Sequence, residues 1–212
     1  PPQLAALRAE LPDAKFIHTA FVASLVEGSE IRAVFKSPGL TPEQVAPVLG
    51  AARASGLWVS GELGLFSRGL QALRTGLAYA PKVLAITGTN GKTTVTSLTG
   101  QLVERAGKTV AVAGNIGPTL LDTLAAHTDE QTLPEVWVLE LSSFQLDEVE
   151  GFEPTMGTVL NLTQDHLDWH GAMSAYGAAK ARIYGAHGAD AAPMLLNRDD
   201  PAVRAMLPAL AK

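Results

Sequence analysis

Apolar positions along this chain recur with two periods, and the change from one to the other marks its elements. Val83-Leu84-Ala85-Ile86 is a short apolar, β-branched run of the kind that forms a buried strand. It stops at Thr87-Gly88-Thr89-Asn90-Gly91-Lys92-Thr93-Thr94, after which a helix-compatible segment continues to about Arg105. The same alternation is repeated downstream. Strands are predicted at Thr109 to Ala113, Val136 to Leu141, Gly157 to Leu162 and Pro193 to Asn197, with helices at Thr119 to Ala126 and Met173 to Tyr184. Upstream, Leu4 to Leu11 suits a short helix, and Lys15 to Thr19 and Ile31 to Phe35 suit strands. Thr41-Pro42-Glu43-Gln44 reads as a helix start, with Thr41 as N-cap and Pro42 at the first helical position; Val45, Val48, Leu49 and Ala52 follow at helical spacing. Leu57-Trp58-Val59 is a further short strand and Glu62 to Leu77 a further helix. Alternating strands and helices of these lengths predict an α/β fold, a mostly parallel sheet with helices on both faces. Pro81 is the expected boundary between a region 1–80 and a phosphate-loop region 81–212.

The chemistry is concentrated where strands end. A strand, a glycine-containing turn, a Lys-Thr pair and a helix in that order form a phosphate loop. The glycines let backbone N–H groups close round phosphate oxygens, the helix N-terminus favours negative charge, Lys92 adds a cation, and the Thr93 hydroxyl suits Mg²⁺. Gly88, Thr89, Asn90, Gly91, Lys92, Thr93 and Thr94 are therefore the expected nucleotide-binding residues. Ile86 occupies the place of the usual first glycine, so the loop is an altered variant. In a parallel sheet the carboxyl ends share one crevice, which should gather Gly88–Thr94, Gly114–Gly117, Glu140–Ser143 and Asn161–His166. Glu140 interrupts the apolar run Val136–Leu141, where an unpaired carboxylate is costly, and is expected to be a Mg²⁺ ligand. Of Thr163–His170, the segment richest in possible ligands, His166 is favoured as a site residue with Asp165 orienting it, and His170 as peripheral. Spacing alone makes Lys180 a solvated or snorkelling lysine beside Tyr176 and Tyr184. The turn Lys36-Ser37-Pro38-Gly39 either lines a ligand crevice or simply connects a strand to a helix.

Composition narrows the class of function. Of 212 residues, 47% are hydrophobic, enough for a sizeable core, and the net charge of -5 argues against a non-specific nucleic-acid binder, which needs a basic face. There is no cysteine, which excludes disulfides and thiolate metal sites. No apolar run has the length of a membrane span, so a cytoplasmic protein without nucleic-acid or membrane partners is expected.

Taken together, Thr87–Thr94, Gly114-Asn115-Ile116-Gly117, Leu139-Glu140-Leu141-Ser142-Ser143-Phe144-Gln145-Leu146, Asp165-His166-Leu167-Asp168 and Ala178-Ala179-Lys180-Ala181-Arg182 resemble the Mur ligases of peptidoglycan synthesis. The string from Leu139 to Leu146 is most similar to the members that add D-glutamate to UDP-N-acetylmuramoyl-L-alanine. The resemblance implies a two-step, ADP-forming ligation through an acyl phosphate, with ATP and Mg²⁺ as cofactors. It implies catalytic roles for Lys92, Glu140, His166 and Lys180, and two Mg²⁺ sites built from Thr93, Glu140, His166 and Lys180. A protonated lysine cannot ligate a cation, and in the family this lysine is carbamylated. Ser37, Gly39, Asn115, Ser142, Gln145 and His166 are implied to face the UDP-sugar substrate.

The family's three-domain plan implies that the chain holds part of a Rossmann-like UDP-binding domain (1–80) and most of the central ATP-binding domain (81–212). The C-terminal domain is expected to be absent, and the chain alone is expected to be inactive, with a monomer as the expected state. The competing readings are another Mur ligase, a folylpolyglutamate synthetase-like ligase, and, in a different class, a P-loop nucleotide switch that hydrolyses without an amino-acid acceptor.

Overall fold

The computed structural model describes residues 2–147, 149–185 and 193–206. Its elements are α1 (Pro2–Glu10), β1 (Ala33–Phe35), α2 (Pro42–Ala54), β2 (Trp58–Ser60), α3 (Glu62–Leu77), β3 (Lys82–Thr87), α4 (Lys92–Arg105), β4 (Val110–Gly114), α5 (Leu120–Asp129), β5 (Val136–Glu140), α6 (Ser143–Leu146), β6 (Met156–Val159), α7 (Leu167–His170), α8 (Met173–Ala181), β7 (Met194–Leu196) and α9 (Pro201–Arg204). β1 and β2 pair in parallel, and five further strands form a parallel sheet in the order β4-β5-β3-β6-β7. β3, which leads into the phosphate loop, is thus central.

Burial on both faces explains the uninterrupted apolar character of the central strands. Along β5, Trp137 and Leu139 point to a core shared with Leu63 and Phe66 of α3 and Leu120 and Leu124 of α5. Val136 and Val138 point the other way, joining Ile86 in a layer packed against Val95 and Val103 of α4. The period of two sends successive side chains to opposite helical layers. A separate, smaller core lies beneath α2, where Val45, Val48, Leu49 and Ala52 are buried as their spacing predicts. Thr41 caps this helix in a reciprocal box with Gln44, so its start was readable from four residues.

The strand expected at Lys15–Thr19 does not form; those residues are irregular. Isolated strands have no ladder to satisfy their backbone, and no strand pairs with this segment among the described residues. The helix expected over Met173–Tyr184 changes to a tighter 3₁₀ turn at Arg182–Tyr184, where Tyr184 is buried against the sheet.

Trp137 is the largest wholly buried side chain. Its ring meets Phe66 edge-on at 5.1 Å, and its indole N–H donates to the Tyr79 hydroxyl at 2.9 Å. That hydroxyl donates in turn to the Pro134 carbonyl. Trp137→Ala would remove this contact set and leave a cavity between α3 and the sheet. We expect a loss of about 3–5 kcal/mol, measured by urea unfolding.

Candidate functional site

Strand register brings the candidate residues together. β5 ends at Glu140, level with Ile86 of β3 on one side and Gly114 of β4 on the other. The phosphate loop follows β3 and the Gly114–Gly117 turn follows β4, so the carboxylate stands between the two turns. Gly114 makes this possible: its φ is 121°, and a Cβ there would lie 2.2 Å from the Glu140 carbonyl oxygen.

Glu140 is only 1% exposed. Thr93 Oγ1 donates to its Oε2 at 2.9 Å, and Asn115 Nδ2 donates to its Oε1 at 3.0 Å. Both partners are neutral, so the buried charge is oriented by them but not cancelled. A carboxylate beside a hydroxyl is a set of hard oxygen donors that suits Mg²⁺. Among the described residues no group of three or more His, Asp or Glu side chains gathers as a metal site, here or elsewhere. Mg²⁺ keeps several waters and takes further oxygens from phosphates, so it needs few protein ligands.

The loop itself is held from three sides. Gly91, with φ 79°, is the N-cap of α4 and turns the chain into the helix. Asn161, at the end of β6, locks the loop from the side: Asn90 N–H donates to its Oδ1 at 2.8 Å, and its Nδ2 donates back to the Asn90 carbonyl at 3.0 Å. The Thr89 hydroxyl accepts from Thr163 N–H at 3.0 Å and lies 3.2 Å from the Tyr176 hydroxyl. Lys92 Nζ donates to the Gly88 and Thr89 carbonyls, each at 3.0 Å, which holds its charge over the loop. Thr94 follows in the first turn of α4.

Lys180 does not snorkel. It is 2% exposed, and its Nζ donates to the Gly88 carbonyl at 3.0 Å and the Thr87 hydroxyl at 3.3 Å. The Tyr176 ring lies 4.7 Å from the same nitrogen, as one helical turn of separation predicts. Burial, and then the neighbouring charge of Lys92, bring its ammonium down from 10.5 to about 7, with Asp165 pulling weakly the other way. A lysine of this kind carries a large fraction of neutral amine near pH 7.

His166 adopts a left-handed backbone (φ 50°) as the N-cap of α7. Its side chain is 44% exposed, with Nε2 3.5 Å from Asp165 Oδ2 and the ring 4.7 Å from that of Phe144. His170 is more integrated than its expected peripheral role: its Nε2 lies 3.0 Å from Ser143 Oγ, and its ring stacks on Phe144 at 5.8 Å. Burial holds it below the usual histidine value, ahead of the opposing charge of Asp147. Ser142 and Gln145 form a capping box that fixes the four-residue α6 next to Glu140. Ser37 and Gly39 lie in the turn between β1 and α2, outside the phosphate-loop cluster. The same turn sends Lys36 and Pro38 into a cleft shared with Phe144 and Gln145. Asn161 is expected at the crevice only as the start of the Asn161–His166 strand end, without a role, and Tyr176 only as a neighbour of Lys180. An asparagine just after a strand and a tyrosine one turn before the lysine were the available signals.

A phosphate loop on a central parallel strand, with a buried acid at the end of the neighbouring strand and a buried lysine reaching the loop from α8, defines an α/β domain of the nucleotide-binding, phosphate-loop class. The profile of the Mur ligase middle domain matches residues 86–212, and the chain belongs to the Mur ligase family. It is 65% identical over 208 residues to the UDP-N-acetylmuramoylalanine–D-glutamate ligase of Albidiferax ferrireducens, covering 98% of this chain and 40% of that protein. It is 56% identical over 211 residues to the ligase of the same name from Burkholderia multivorans, covering 99% and 41%. The chain thus spans about two fifths of the length of these relatives. The fold is shared with the MurF ligase of Thermotoga maritima solved in complex with ADP, at a TM-score of 0.54 and 16% identity, covering 90% of this chain and 48% of that one. Among the described residues no helix is long and apolar enough to cross a membrane.

Proposed function

We propose that this chain is part of an ATP-dependent ligase that joins D-glutamate to UDP-N-acetylmuramoyl-L-alanine in cytoplasmic peptidoglycan precursor synthesis. Residues 81–212 serve as the ATP-binding portion and 1–80 as part of the UDP-sugar-binding portion of a monomeric enzyme. The observation that carries this reading is the convergence of the phosphate loop, Glu140 and Lys180 on one sheet edge, in a sequence 65% identical to a ligase of that specificity.

The reaction must bring a carboxylate up to a triphosphate. The substrate carboxylate attacks the γ-phosphorus and the bond to the β-phosphate oxygen breaks, giving an acyl phosphate and ADP. The amine of D-glutamate then attacks the acyl carbon, loses a proton and expels inorganic phosphate. The loop N–H groups and Lys92 bind the triphosphate and stabilise charge as it moves to the leaving group. Thr93 and Glu140 would hold one Mg²⁺, and His166 with Lys180 a second. When bound, Mg²⁺ supplies further neutralisation of phosphate charge. Lys180 enters that set as a carbamate: its neutral amine attacks CO₂ and loses a proton, leaving an anionic oxygen donor. Burial of Lys180, and the depressed basicity that follows, supports this modification. Asn115, Ser142, Gln145 and His166 would orient the muramoyl-alanine and diphosphate portion, and Ser37 and Gly39 the UDP.

The test is ADP release by a polypeptide that carries this chain at the full length of its relatives. With ATP and UDP-N-acetylmuramoyl-L-alanine present, release is expected only when D-glutamate is added. Release indifferent to the amino acid would point to a hydrolysing switch and end the ligase reading.

A further inference from the structure

Lys36 is a lysine whose side chain is only 8% exposed, an unusual state for this residue type. Its root is fixed by a backbone bond from its N–H to the Ser60 carbonyl at 3.0 Å, which continues the β1–β2 pairing. From there the side chain crosses to the other unit. Its Nζ stands 4.0 Å from Asp147 Oδ2 and 5.5 Å from the centre of the Trp169 ring.

Those two contacts have meaning because of where they fall in the sequence. Asp147 is the C-cap of α6, the helix that carries Gln145 and begins at the Ser142 cap. Trp169 belongs to α7, whose N-cap is His166. Phe144 ties these two segments together, its ring 4.9 Å from Trp169 and 4.7 Å from His166. Lys36 itself directly precedes Ser37. One cation therefore touches the far ends of both segments assigned to the substrate and forms the root of the third.

We propose that Lys36 is a positioning residue, which sets the spacing between the Ser37–Gly39 turn and the segments bearing Gln145 and His166, and thereby governs affinity for the UDP-sugar. This rests on the ligase reading above. The lysine does not act on the reacting atoms. It holds apart and in register the two walls between which an extended, diphosphate-linked substrate lies, while the phosphate loop is held by other bonds.

The test uses the full-length protein with Lys36→Met, which keeps the stem and removes the charge, Lys36→Arg, which keeps both, and Asp147→Asn. For Lys36→Met the KM for UDP-N-acetylmuramoyl-L-alanine is expected to rise about tenfold or more, the cost of misplacing one wall, while the KM for ATP stays within about twofold. Lys36→Arg should restore the sugar-nucleotide KM to within about threefold of the unsubstituted value. Asp147→Asn should raise the same KM, and adding it to Lys36→Met should cost less than the two effects combined. An unmoved sugar-nucleotide KM in Lys36→Met, or equal rises for both substrates with no rescue by arginine, overturns the proposal while leaving the ligase reading intact. Absence of D-glutamate-dependent turnover in the unsubstituted protein overturns both.

Discussion

Lys180→Met is expected to abolish ligation and to make the protein more stable below neutral pH. Turnover should fall by at least about 10²-fold, as for removal of a group that stabilises developing charge. Stability should move in the opposite direction, for a reason contained in the ionisation of the amine. For the uncarbamylated protein, in the unfolded chain the ammonium titrates near 10.5, and in the folded protein at about 7. Between those values the unfolded state binds a proton that the folded state does not, so stability rises with pH across that window. Below pH 7 the full penalty of holding a buried ammonium is present, and above 10.5 it is gone. The interval corresponds to about 4–5 kcal/mol. Methionine has a comparable stem and no charge, so it escapes the penalty, offset by the hydrogen bonds to Gly88 and Thr87 that it cannot make. Urea midpoints measured from pH 6 to pH 10 should show the variant's advantage shrinking steadily as pH rises. A constant difference between the two proteins would mean that Lys180 is not charged at the cost inferred here.

Glu140→Gln should leave the fold nearly untouched and remove about 10²–10³ of turnover. Asn115 can continue to donate to the amide oxygen, and the Thr93 hydroxyl can rotate to accept from the new amide nitrogen. Each polar atom keeps a partner, and the desolvation of a buried carboxylate is relieved. The melting temperature should therefore hold or rise slightly. What is lost is the anionic oxygen beside Thr93, so ADP formation should need more Mg²⁺ to reach half its maximum. Identical Mg²⁺ dependence in the two proteins would remove Glu140 from the metal site.

How much of this was readable beforehand varies from residue to residue. The phosphate loop was legible because its chemistry is local: a strand, glycines, a lysine and a hydroxyl within a dozen positions. The need of Glu140 for polar partners was legible because an acid in an apolar strand conflicts with its surroundings, and the structure supplies Thr93 and Asn115 as donors. Lys180 was misread from spacing, since an amphipathic pattern does not say which side of a helix meets a loop 92 positions earlier in the chain. The family resemblance, not periodicity, raised it to a site candidate. The contacts of Asn161 and Tyr176 were not legible because each is an ordinary residue that reaches a backbone group or hydroxyl on another segment. Lys15–Thr19 has strand-like residues and no strand, because propensity cannot supply a neighbour. The Lys36 contacts with Asp147 and Trp169 depend wholly on how two layers approach, and no local pattern contains that information.

The packing of α3 under the main sheet imposes an order on synthesis. Leu63 and Phe66 leave the ribosome well before Trp137, and even Tyr79 is 58 positions ahead of the indole it binds. During that interval the apolar stripe of α3 has no sheet to cover it, and parallel strands pair slowly because each closure spans a long crossover. The nascent chain carries this stripe without its sheet until β5 emerges, so the translation of residues 62–140 is an interval in which apolar surface is exposed to aggregation.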